Sequence, residues 1–278
     1  MKNTKTRALA ESAILIALAT ILSLIKLVDL PYGGSITIAS MFPVVILSYR
    51  WGLGWGCAAG LVFGIIQQLT GLSSLSYVTT WQSIVAVILL DYVVAFAVTG
   101  LGGVFRKHIK NQAAALSLGS VLVCLCRYAC HVLSGATVWA GISIPTKAAL
   151  IYSFIYNATY MLPETIIMVL VSVYIGSMID FHAYLPVRMA QAQNIAVRRN
   201  VWTILAGLVG TGALVFDVAS IFSKLQNAQT GEFDITQIAS VNWVAVAAVT
   251  ACAAIAAAVL LTVSSAAKKS ASNAQSAK

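Results

Sequence analysis

Five ionisable side chains, Asp91, Arg127, His131, Glu164 and Asp217, interrupt stretches that are otherwise almost wholly apolar. An ionisable group in hydrocarbon is costly, so each is a candidate for function. Arg127 and His131 are four apart and share one helix face. Asp91 is followed by Tyr92, and Tyr152 stands five residues before Asn157. Counted at about 1.5 Å per helical residue, Asp91, His131 and Asn157 each lie about 13–15 Å inward from the same membrane face. An acid, an imidazole and an amide therefore share one level. Trp139, Tyr152, Tyr92 and Trp81 lie above or beside them. A few convergent polar groups in an aromatic cage describe a small-molecule pocket. One carboxylate among aromatic faces suits a flat cation, through charge pairing and cation–π contact.

The same residues admit plainer readings. Trp81 and Trp139 fit an interfacial aromatic belt, and Asp91 fits an ion pair with Arg127. Arg127 fits either the pocket floor or such a pair. Glu164 follows Pro163, lies far toward the opposite face and reads as structural. Asp217 is assigned no role.

The elements that would carry these residues are membrane helices. Sixty per cent of the 278 residues are hydrophobic and 9% are charged, against roughly 25% charged in soluble domains. Several apolar runs exceed the roughly 20 residues that a helix needs to cross a bilayer. They are continuous rather than alternating, which favours helices over a barrel. The pattern predicts helices over 7–27, 37–50, 52–70, 81–105, 113–140, 147–179, 200–223 and 241–264, the second short and containing Pro43. Residues 1–179 form the predicted six-helix core. Residues 180–200 read as a polar, basic cytoplasmic linker, 201–265 as two further helices and 266–278 as a disordered tail.

The net charge of +9 is a topology signal and not a nucleic-acid patch. Lys2, Lys5, Arg7, Arg50, Arg106, Lys107, Lys110, Arg188, Arg198, Arg199, Lys268, Lys269 and Lys278 fall in one set of connections. Lys26, Lys147 and Lys224 fall in the alternate set. The positive-inside rule then puts both termini in the cytoplasm of a multi-pass cell-membrane protein.

Catalytic signatures are missing: the chain has no G-x-x-x-x-G-K-[ST], H-E-x-x-H or G-x-S-x-G. No enzyme activity and no cofactor are expected. Cys57, Cys124, Cys126, Cys130 and Cys252 all lie in apolar runs. They are odd in number, so they read as packing, not as a disulfide framework or a metal site.

Over residues 1–179 the chain resembles the thiamine-specific S component of energy-coupling factor (ECF) transporters. The resemblance rests on Asp91-Tyr92-Val93-Val94-Ala95-Phe96 with the following Gly100-Leu101-Gly102-Gly103, on Arg127-Tyr128 followed by His131 and Trp139, and on Tyr152 with Asn157. It implies a six-helix S-component core in an all-α polytopic membrane protein, with two additional C-terminal helices. It also implies a thiamine pocket in which the acid pairs with the aminopyrimidine, Trp139 stacks, and His131, Tyr152 and Asn157 add contacts. Ala13-x-x-x-Ala17 resembles the small-residue face that docks a transmembrane T component, whose two ATPases would supply the energy. An S component for another heteroaromatic or cationic vitamin, and a membrane scaffold without transport, remain as alternatives.

Overall fold

The computed structural model describes residues 4–30, 33–78, 80–140, 147–189, 194–225 and 239–276. It divides into two compact units. One runs to Gly176 and includes Phe181–Pro186. The other comprises Ser177–Asp180 and the chain from Val187 onward. Among the described residues, seven helical stretches are long and apolar enough to cross a membrane. The protein is a predominantly helical, multi-pass membrane protein.

The first unit opens with α1, Thr4–Leu24. The expected helix over 7–27 stops short of Lys26. Its last residues instead enter an antiparallel hairpin, β1 (Lys26–Asp29) and β2 (Ser35–Thr37), bulged between Lys26 and Val28. The hairpin also displaces the start of the second helix, expected at 37. Helix α2 covers Phe42–Trp51, with Pro43 in its first turn, where a missing N–H costs nothing. It ends at Gly52, whose φ of 95° permits an abrupt corner into α3, Leu53–Thr70.

Helix α4, Trp81–Lys107, is not uniform. It begins as an α-helix, widens to a π-helix over Ile88–Val94, and tightens to a 3-10 helix over Val98–Lys107. Close packing holds it against its neighbours. A Cβ at Gly64 would collide with the Tyr92 carbonyl, and one at Gly60 with the Phe96 carbonyl. Ser48 of α2 donates to the Gly100 carbonyl and accepts from the Gly103 N–H at 2.9 Å. Helices α5 (Gln112–Ala140) and α6 (Lys147–Met178) complete the unit.

At the far end of α2, Arg50 is almost fully buried. It donates to both Glu11 oxygens at 2.8 and 2.9 Å, and Trp51 Nε1 donates to Oε2 of Glu11 at 2.8 Å. Arg50 also donates to the carbonyls of Phe181, Ala183 and Tyr184. The stretch expected to be a free linker therefore begins as a docked turn. Arg50 draws it in, because a buried guanidinium carries five donors that need acceptors.

The second unit contains the short hairpin β3 (Ile179–Asp180) with β4 (Val187–Arg188), and helices α7 (Asn194–Leu225) and α8 (Trp243–Ser276). Thr250 donates to Asp217 at 2.6 Å, and the Thr203 and Ser264 hydroxyls pair at 3.1 Å. Asp217 thus ties α7 to α8. The tail expected to be disordered continues α8 as far as Ser276. The alanines of that stretch favour helix, and it has no Gly or Pro to stop it.

Candidate functional site

The first unit contains a partly open cavity of about 320 Å³, at the lower end of the range for small-molecule sites. Asp91, Tyr92, Arg127, His131 and Asn157 all line it. Three helices deliver them. The π-helical stretch of α4 adds a residue to the turn and presents Asp91 and Tyr92 to the cavity, a use that such widened turns often have. Helix α5 brings Arg127 and His131 on one face. Helix α6 brings Asn157.

A relay of hydrogen bonds joins these groups. His131 Nδ1 lies 2.7 Å from Asp91 Oδ1, and Ser134 Oγ donates to Asp91 Oδ2 at 2.8 Å. On the other side of the ring, Arg127 Nη2 lies 3.2 Å from His131 Nε2. A guanidinium can only donate, so Nε2 accepts. Nδ1 then carries the proton and donates to Asp91, so the ring is neutral. His131 therefore stands between Asp91 and Arg127, in place of the direct pair open from sequence. Arg127 also lies over the Phe96 ring, 4.2 Å from its centroid. Its Nε is buried without a hydrogen-bond partner.

Asn157 is fixed in orientation. Its Nδ2 donates to the His131 carbonyl at 3.2 Å and to the Ser153 carbonyl at 2.8 Å, and its Oδ1 accepts from the Tyr160 hydroxyl. Tyr92 stacks against Phe96 with centroids 6.4 Å apart.

The hairpin forms a further wall. Gly34 N–H donates to the Tyr156 hydroxyl at 3.2 Å. Thr37 donates its N–H to Glu164 Oε2 and its hydroxyl to Oε1, both at 2.7 Å. Gly34, Thr37, Tyr156 and Glu164 all line the cavity. Glu164, read from sequence as structural and remote, is thus both an anchor for β2 and part of the lining.

One expected residue is not in the lining. Trp81 is 70% exposed. Ser83 and Val87, four apart, define the buried face of the first turns of α4. Trp81 precedes Ser83 by two residues and so points away from that face. The side chains of Trp139 and Tyr152 lie outside the described residues. Ser134, Tyr156 and Tyr160 were missed. Ser134 lies three residues after His131, and Tyr160 three after Asn157, so helical spacing alone could have found both. Nothing local marks Thr37, whose position depends on the hairpin.

Fold and site together define a polytopic helical membrane protein with a polar, partly aromatic cavity built into its first six helices. Residues 9–181 match the model of the thiamine transporter protein family (Thia_YuaJ). The chain belongs to that family. The thiamine transporter ThiT of Bacillus subtilis is 35% identical over 174 residues, which cover 59% of this chain and 86% of the relative. The thiamine transporter ThiT of Lacticaseibacillus paracasei is 26% identical over 177 residues, 58% of this chain and 82% of the relative. Among solved structures, ThiT from Listeria monocytogenes aligns with a TM-score of 0.48 and 24% identity, over 61% of this chain and 95% of that one. The family match ends at residue 181, so α7 and α8 lie beyond it.

Proposed function

We propose that this chain is the substrate-binding subunit of a vitamin importer, and that the cavity between α4, α5, α6 and the hairpin takes thiamine. The observation that carries the reading is Asp91. Its carboxylate is fixed by His131 and Ser134 at the cavity wall. A fixed carboxylate can accept hydrogen bonds from the amino group of an aminopyrimidine without reorganising. Tyr92, His131, Asn157 and Arg127 supply further polar contacts and ring surface. On this reading Trp139 and Tyr152 complete the aromatic cage.

Transport itself needs a source of energy outside this chain. We assign that role to an ECF module, a T component with two ATPases. Ala13 and Ala17 are exposed on α1, and small side chains let a partner helix approach closely. Both termini then face the cytoplasm of the cell membrane. The six helices up to residue 179 form the binding core, and α7 with α8 is an addition to it.

Isothermal titration of the detergent-solubilised protein with thiamine, without nucleotide or Mg²⁺, tests the substrate. Saturable heat is expected. No heat with thiamine, together with saturation by another vitamin, rules the assignment out. Uptake into vesicles should require co-reconstituted ECF proteins. Uptake by this chain alone would end the passive-subunit reading.

A further inference from the structure

Four formally charged side chains line the cavity among the described residues: Lys26, Asp91, Arg127 and Glu164. Lys26 is already matched. Its ammonium lies 3.0 Å from each oxygen of Asp29, which is not in the lining. One cation, Arg127, then stands against two carboxylates. Arg127 reaches Asp91 only through the neutral His131 ring, and no ion pair within 4.0 Å joins it to either acid among the described residues.

Glu164 is 4% exposed. Both of its oxygens accept hydrogen bonds from Thr37. Burial opposes ionisation of its carboxyl, and the donors aimed at both oxygens favour it. A buried carboxylate without a matching cation is expensive. The lining therefore carries two carboxyl groups against one cation left to match them.

Resting on the thiamine reading above, we infer that Glu164 is a specificity-determining residue of the cavity, whose carboxyl, one more than Arg127 alone can match, makes it favour a cation over a neutral molecule of the same shape. It acts at a distance, since its nearest hydrogen bonds go to β2. The positive charge of a bound thiazolium supplies what the site lacks.

The experiment compares thiamine with its neutral analogue in which a thiophene replaces the thiazolium ring. The full-length protein should prefer thiamine. Glu164→Gln, nearly identical in shape, should narrow that preference on the order of tenfold. The loss should fall on thiamine, with the analogue little changed. Thr37→Val removes one of the hydrogen bonds that favour the charge, so it should narrow the preference in the same direction but less than Glu164→Gln does. Glu164→Asp keeps the charge, and should keep the preference even if Glu164→Gln does not fold. A parallel loss of both ligands in Glu164→Gln, or a lost preference in Glu164→Asp, overturns the inference while thiamine binding stands. Failure of the unaltered protein to bind thiamine overturns the substrate reading itself.

Discussion

His131 sits between a donor-only group and an acceptor, and that arrangement fixes its proton. Arg127 supplies the donor at Nε2 and Asp91 the acceptor at Nδ1. Asp91 is thereby held without being neutralised by direct contact. Replacing it with Asn removes a charge-assisted hydrogen bond, worth roughly 1.5–3 kcal/mol. Asp91→Asn should therefore weaken thiamine binding about 10- to 100-fold, read by titration. Trp81→Ala should leave affinity nearly unchanged, because Trp81 is exposed away from the cavity. A large effect at Trp81 with none at Asp91 would mean the wrong site has been described. Asp91, Tyr92, Arg127, His131 and Asn157 were legible in the sequence because a polar residue stands out in an apolar run, and helical rise gives its depth. Glu164 misled for the same reason. Its depth was counted along α6 alone, and that count contains no hairpin descending to meet it.

The elements show where such counting fails. Ile25, Leu27 and Val28 continue the apolar character of α1, so a helix running to residue 27 was the natural reading. The strands are set by pairing between residues 26–29 and 35–37, and a pairing between two short stretches leaves no periodic signature. Helix α4 was legible as one span, but its π and 3-10 segments were not. They arise from contacts with α2 and α3, to which Gly60, Gly64, Gly100 and Gly103 contribute. Gly64→Leu should accordingly fail. A side chain there meets the Tyr92 carbonyl and the Phe96 ring, so α3 and α4 must separate, at roughly 1–3 kcal/mol or more. The expected result is a lower melting temperature and weaker thiamine binding together. A fully stable Gly64→Leu protein with unchanged affinity would show that the helices do not approach so closely.

For the whole molecule, the division near residue 180 acquires a more exact boundary. The composition of 180–200 suggested an open linker, yet Phe181–Pro186 belongs to the first unit. Its carbonyls satisfy Arg50, and His182 lies 2.9 Å from the Tyr49 hydroxyl. Truncation after Met189 should leave a folded protein with unchanged affinity for thiamine. Truncation after Gly176 should lower the melting temperature, because a buried guanidinium loses its acceptors. Thermal unfolding and titration in one detergent separate the two. Lost affinity in the longer, folded product would show that α7 and α8 complete the site.

The π-helical stretch of α4 carries one further consequence, for tolerance to insertion and deletion. An ordinary helix advances about 100° per residue. Removing one residue between Ile88 and Leu90 lets the stretch relax to a regular α-helix, which backbone hydrogen bonding would accept readily. Everything before the deletion would keep its facing, and the chain could still span the bilayer. Because a π-helix advances less per residue than an α-helix, the lost residue and the regained advance nearly cancel, and Asp91 and Tyr92 would still face His131 and Ser134. Loss of a single codon there could thus spare both the fold and the site. Over most of a membrane helix the costs run the other way.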